Sequence, residues 1–207
     1  MGAINQITSN QTTLTRATLK SAAAQGSVAS SSDSNEDALR LWRNYTKSNT
    51  DFTRGFKTVL TTLKSATTTL RQSAVSSETD SSTAEVTYNY DDAIKAAEDF
   101  ADAYNSTIDY LKKKRNLSGV GDVLKNYKLT SKMKDQLERV GISVDSSGKL
   151  TVDKDAMKSA LEEDQDVWGD VVTYAKSSLT TRVANKNSYY YNHLDEILKK
   201  PALSLTI

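Results

Sequence analysis

The one histidine of the chain, His193, stands beside Tyr189-Tyr190-Tyr191 and Asn192, and any Ser/His/Asp or Cys/His nucleophile system would have to run through it. No serine in a G-x-S-x-G setting accompanies it, and there is no cysteine. A histidine near a helix end, exposed or capping, is the reading its setting supports. One His without Cys also cannot supply the N/S ligands of a structural zinc site. Asp145-Ser146-Ser147-Gly148-Lys149 with Asp153-Lys154-Asp155 has some of the alternating oxygens of a calcium loop. Its glycine comes at the fourth place instead of the sixth, Lys149 takes the fifth, and Ala156 stands where a bidentate Glu belongs, so a hairpin turn explains these residues better. Gly119-Val120-Gly121 lacks the third glycine of a dinucleotide fingerprint, because Leu124 stands there, and no Gly-Lys-Ser/Thr follows; it reads as a flexible joint. Lys112-Lys113-Lys114-Arg115 follows acidic Glu98, Asp99, Asp102 and Asp109 and reads as cations at a helix C-terminus, where each is worth roughly 0.3–1 kcal/mol against the helix dipole. The expectation is a protein that is not an enzyme, with no catalytic residues, no cofactor and no metal.

Composition points the same way. The 207 residues are 37% hydrophobic, with mean hydropathy −0.56, enough for a modest core. Twenty-seven basic against 26 acidic residues leave a net charge of +1, so no global field draws the chain to nucleic acid or to an anionic membrane. No run has the length of a transmembrane span, and the N-terminus lacks the basic region and apolar core of a secretory signal, so export would need another route.

The elements that must position these residues follow from periodicity. Ala38, Trp42, Tyr45, Asn49, Phe52, Phe56, Val59, Leu63, Ala66 and Leu70 recur at steps of four and three, the a/d seam of a long helix that needs a partner. Asn49 in that seam either sets register or marks a solvated stretch. Trp42, Tyr45, Phe52 and Phe56 read as core, with an assembly surface near one bundle end as the alternative. Tyr90, Ile94, Ala97, Ala101, Tyr104, Ile108 and Leu111 make a second seam. Between the two, residues 76–82 read as a polar turn and 84–90 alternate as a short strand does. A short helix with Met133, Leu137 and Val140 leads to a hairpin, Ile142-Ser143-Val144 and Leu150-Thr151-Val152 around the turn Asp145-Ser146-Ser147-Gly148. Asp153 then caps a helix with Ala156, Met157, Ala160 and Leu161. Trp168, Val172, Ala175 and Leu179 give a third amphipathic face that weakens into residues 185–192, and Pro201 ends the last helical candidate.

The fold expected is mainly α with minor β: an elongated antiparallel helical bundle carrying a small β-hairpin-plus-helix subdomain. Its parts are a Ser/Thr/Asn/Gln-rich N-terminal segment, 1–33, read as flexible because Ile4, Ile7, Leu14 and Leu19 are too few aliphatics to offset ordering entropy; two long helices, 34–114; the hairpin subdomain, 115–164; and a returning helix plus tail, 165–207.

Two blocks carry a resemblance. Val86-Thr87-Tyr88-Asn89-Tyr90-Asp91-Asp92-Ala93-Ile94 with Asp99-Phe100-Ala101-Asp102-Ala103-Tyr104-Asn105-Ser106-Thr107-Ile108 resembles the strand and "DFVDAYNSLI" helix of the bacterial flagellar filament cap family, hook-associated protein 2. Leu137 to Ile142, Gly148-Lys149-Leu150-Thr151-Val152-Asp153 and Ala160 to Asp164 are similar to that family's "LGI…DGKLTLD…LEEALAED" block, in the same order and spacing. The resemblance covers about residues 86–172. It departs from the family in having only residues 76–82 where globular outer domains are usually inserted, and no leucine-rich N-terminal region in 1–33.

The resemblance implies a structural and assembly protein of the flagellum, extracellular, exported without a cleaved signal peptide, whose partners are further copies of itself (a homo-oligomer) or axial proteins such as flagellin and hook-associated proteins. Assembly contacts are expected at Ile4, Ile7, Leu14, Trp42, Tyr45, Phe52, Leu203, Leu205 and Ile207. The alternative is a soluble, non-polymerising binding module, adhesin-like or a cytoplasmic export partner.

Overall fold

The computed structural model describes residues 31–83, 86–117, 119–163 and 170–197. The chain falls into two compact units, Met1–Thr50 and Asp51–Ile207. Helix α1 (Ser31–Gln72) begins in the first and ends in the second. In the second unit come the hairpin β1 (Ser76–Thr79) and β2 (Val86–Asn89), then α2 (Asp91–Lys113), α3 (Val120–Tyr127), α4 (Ser131–Glu138), the hairpin β3 (Ile142–Val144) and β4 (Leu150–Val152), α5 (Lys154–Glu163), α6 (Asp170–Asn192) and the short α7 (Leu194–Ile197). The mainly helical class with minor antiparallel β is the one expected.

Threonine-rich as it is, α1 stays helical because its hydroxyls bond back to the preceding turn instead of competing with it. Thr61 and Thr68 donate to the carbonyls of Lys57 and Lys64, and buried Thr67 donates to Leu63 at 2.6 Å. At its C-terminus the orphan carbonyls find donors: Ser73 bonds Leu70 through its hydroxyl, and the Lys176 ammonium reaches the Ser73 carbonyl at 2.8 Å.

Within the second unit α1 runs antiparallel to both α2 and α6. Tyr110, late in α2, donates to the Phe52 carbonyl at 2.9 Å, and Leu70 shares an apolar gap with Ala97, early in α2. Along α6, Asn187 meets Leu60, Thr180 meets Arg71, and Lys176 meets Ser73. Every member of the second seam is buried, as are Phe52, Phe56, Leu63 and Leu70 of the first, each contributing roughly 1.5–3 kcal/mol. Gly55 lets this happen: a Cβ there would run into the Tyr110 ring.

Four expectations are corrected. Residues 76–79 of the supposed polar turn are a strand, paired antiparallel with 86–89 in the register Ser76 to Asn89 and Thr79 to Val86. Ser76-Ser77-Glu78-Thr79 is polar and exposed on both faces, which hides this strand from a pattern search. The joint at 119–121 is the start of a helix: Gly119, at φ 88°, accepts the amides of Asp122 and Val123, and Gly121 lies inside α3. The third face does not weaken at 185–192, because Val183, Asn187 and Tyr190 continue the buried stripe of Val172, Ala175 and Leu179. Asn49 is not solvated at its oxygen: Oδ1 is buried and has no hydrogen-bond partner among the described residues.

The β3–β4 hairpin has the expected register, Ile142 to Val152 and Val144 to Leu150. Asp145 closes its turn by accepting the Lys149 amide and then the Ser147 hydroxyl, which holds its carboxyl below the usual range. Asp153 caps α5 through the Ala156 amide at 3.0 Å, as its position predicts. Gly141, at φ 76°, brings the hairpin against that cap; a Cβ would lie 2.6 Å from the Met157 nitrogen.

Candidate interaction surface

The hairpin is fastened to α2 by one side chain. Asp153 donates its amide to Gly141, and Asp145 donates its amide to Lys149, so the hydrogen-bonded pairs of this ladder fall at 141/153 and 145/149. Leu150 therefore turns its own N–H and C=O away from β3. Asn105 meets both: its Oδ1 accepts the Leu150 amide at 2.8 Å and its Nδ2 donates to the Leu150 carbonyl at 2.8 Å. A single amide on a helix thus stands in for a neighbouring strand. One turn later Asp109 pairs with Lys149 at 2.8 Å, and Glu98 pairs with Lys154 at 3.0 Å. Both pairs are partly exposed, so each is worth about 1 kcal/mol or less. The clasp fixes the hairpin geometry more than the ion pairs do.

A second polar chain runs through the core. Tyr104 donates to the Tyr127 carbonyl at 2.7 Å, at the end of α3. The Tyr127 hydroxyl lies 3.4 Å from Asn187 Oδ1, whose Nδ2 donates to the Leu60 carbonyl at 2.8 Å. Beside it Asn126 donates to the Tyr190 hydroxyl at 2.9 Å, while the Tyr127 and Tyr190 rings stack at 5.6 Å. These contacts tie α1, α2, α3 and α6 together. Burial pushes the Tyr104 and Tyr127 hydroxyls well above the ordinary tyrosine range and raises that of Tyr190 as well, so they stay protonated donors.

The chemistry-bearing residues do not converge. His193 sits at the end of α6, its Nδ1 2.7 Å from the Tyr189 carbonyl and its ring stacked on Tyr189 at 4.5 Å, as a helix-terminal histidine. Among the described residues no group of three or more His, Cys, Asp or Glu is placed to hold a metal. Lys112 and Lys113 occupy the last turn of α2. No helix among the described residues is long and apolar enough to cross a membrane.

Of the expected contact residues, Ile4, Ile7, Leu14, Leu203, Leu205 and Ile207 lie outside the described residues, as do Trp168 and Pro201. Phe52 is corrected: it is 0% exposed, stacked on Phe56 at 5.2 Å, and belongs to the core of the second unit instead of to a surface. Trp42 and Tyr45, in the first unit, are half-buried with their rings 5.9 Å apart. Large side chains that do face solvent are Leu41 in the first unit and Val86, Tyr174, Tyr189 and Tyr191 in the second. The fastening residues Asn105 and Asn187 were not singled out in the sequence. The signal for Asn187 was available: it sits four residues after Val183 and three before Tyr190, on the apolar stripe.

Comparison with protein-family models, with curated proteins and with solved structures yields no significant match.

Proposed function

We propose that this chain is a non-enzymatic structural and assembly protein of the bacterial flagellum, related to the filament cap protein. In this reading it is extracellular, reaches the filament by flagellar export, and works through contact with further copies of itself or with axial proteins such as flagellin. The observation that carries the reading is the clasp. The two blocks that resemble the cap family are 45 residues apart at Asn105 and Leu150, yet those two residues hold each other through a pair of 2.8 Å hydrogen bonds, and Asp109 with Lys149 repeats the connection. The side chains available for contact are of the kind assembly faces use: Tyr174 and Tyr189 on α6 are each more than half exposed, and tyrosine combines a large apolar area with a polar tip.

Electron microscopy of cells lacking the protein, together with immunogold labelling of the wild type, tests the proposal. Expected are lost or shortened filaments with flagellin released to the medium, and label at the filament tip or the hook junction. Filaments of normal length and number, with label confined to the cytoplasm, would remove the flagellar reading and leave the binding-module alternative.

A further inference from the structure

Charge is not spread evenly over the second unit. Residues 52–72 of α1 carry Arg54, Lys57, Lys64 and Arg71 and no acid, and residues 171–192 of α6 carry Lys176, Arg182 and Lys186 and no acid, although the whole chain is nearly neutral at +1. These two acid-free stretches, which begin just after Asp51 of α1 and Asp170 of α6, wall an open groove of about 610 Å³. Lys64 and Arg71 line it from α1, and neither has an acidic partner among the described residues. A low-dielectric cleft with charges of one sign and no counter-charge concentrates anions. Seven residues separate the two cations, which sets them about 10.5 Å apart along one helix face.

Between and opposite the cations the lining is neutral and rich in hydrogen-bonding groups. Thr61 and Thr68 stand on α1, also seven residues apart, and Asn185, Ser188 and Asn192 face them from α6. Tyr191 closes one side with an exposed ring, and Lys57 lies 5.2 Å from that ring's centroid, continuing the cation row by another seven residues. Only Leu60 and Ala184 supply aliphatic lining. A partner helix needs an apolar trough, which this is not. A nucleic acid strand carries its charges far more densely than one per two helical turns. Sparse, evenly spaced cations among hydroxyls, amides and one aromatic face match a linear sugar chain that carries one carboxylate per disaccharide.

We propose that the groove between α1 and α6 binds an anionic, uronate-bearing oligosaccharide, with Lys64 and Arg71 on successive carboxylates, Asn185, Ser188 and Asn192 on ring hydroxyls, and Tyr191 against a sugar face. The inference is independent of the flagellar reading, since it rests on the groove alone.

The test is titration of the full chain with hyaluronan tetrasaccharide, followed by amide NMR and calorimetry. Chitotetraose serves as the neutral control, and polyglutamate peptide and a single-stranded oligonucleotide as the other polyanions. Expected are shifts confined to residues 57–71 and 184–192, binding weakened by added salt, and a loss of at least about tenfold in affinity for the double variant K64Q/R71Q, two charge-assisted contacts being removed. Both side chains are exposed, but Arg71 also donates to the Thr180 carbonyl at 3.5 Å, so the single variant K64Q, which should keep its helicity and urea midpoint, must by itself weaken binding. Unmoved groove amides at millimolar tetrasaccharide, equal affinity of the double variant, equal binding of chitotetraose, or tighter binding of the peptide or the oligonucleotide would each overturn the assignment.

Discussion

Replacing Asn105 by alanine isolates the clasp. In the folded protein Asn105 makes two hydrogen bonds to the Leu150 backbone, both at 2.8 Å. Each is worth about 1 kcal/mol net, so about 2 kcal/mol is lost if water fills the space, while each group left dry adds a desolvation cost of about 1–3 kcal/mol. Leu150 is only 3% exposed but Asn105 is half-buried, so water reaches the site in part and the dry limit is not attained. Alanine is also the better helix former, which returns about 0.5 kcal/mol. The expected destabilisation is therefore about 1.5–3 kcal/mol, a large fraction of a typical total of about 5–15 kcal/mol. Urea unfolding by circular dichroism reads it as a lower midpoint at unchanged slope. Native-state hydrogen exchange localises it: the Leu150 amide, which β3 does not protect, should exchange at least about tenfold faster, each 1.4 kcal/mol being a factor of ten. The variant N105D adds a check, because its carboxylate keeps the acceptor but faces the Leu150 carbonyl with a negative charge. Protonation would let that oxygen donate to the Leu150 carbonyl, so N105D should recover stability relative to N105A as the pH is lowered. A change in N105A below about 0.5 kcal/mol, with Leu150 exchange unaltered, would refute the reasoning that this side chain replaces a strand.

Two further outcomes follow from the core network. Asn187→Leu removes the amide that joins Tyr127 to the Leu60 carbonyl, and urea unfolding should show a loss of about 1.5–3 kcal/mol despite the gain in apolar volume, because the Tyr127 hydroxyl is left buried without an acceptor. Raising the pH above 10 should destabilise the fold: Tyr104, Tyr127 and Tyr190 have folded pKa values raised by burial, so the unfolded chain loses protons first and stability, full below pH 10, falls by up to about 1.4 kcal/mol per pH unit for each of them. Unfolding midpoints measured from pH 8 to 11 read this directly, and the substitution Tyr127→Phe should flatten the slope.

What the sequence disclosed and what it concealed divide along a physical line. Apolar spacing located α1, α2 and α5, because a seam such as Tyr90 to Leu111 repeats its burial requirement every turn. Turn chemistry located β3 and β4, where Asp145 and Gly148 admit few alternatives. The alternation of 84–90 located β2, but its partner β1 escaped because Ser76-Ser77-Glu78-Thr79 is polar and exposed throughout and leaves no alternation to find. All of α3 escaped because Gly119 and Gly121 look like a joint, whereas one sits at a positive-φ helix entry and the other is an ordinary helical residue facing open space. Asn105 and Asn187 were hidden for a different reason. Each serves a carbonyl or amide of another element, 45 and 127 residues away, and nothing in the local pattern announces which backbone group of a distant strand or helix a side chain will reach.

That division bears on how a molecule of this kind works. The chain has one histidine and no cysteine, and among the described residues no group of three or more His, Cys, Asp or Glu is placed to hold a metal; several of the buried polar side chains serve the backbone. Asn105 supplies a missing strand, Asn187 and the tyrosines join helices, and Lys176 closes a helix end. Polar groups committed inward rigidify the scaffold, since each has one geometry that satisfies its partner and several that leave it costly. The solvent-facing polar side chains between α1 and α6 are spent differently, on an open wall with cations and no acids. Interior side chains fixed by such bonds, beside a groove between α1 and α6 whose lining carries no acid, hold a surface in place, which is the property that both the assembly reading and the glycan reading proposed above require.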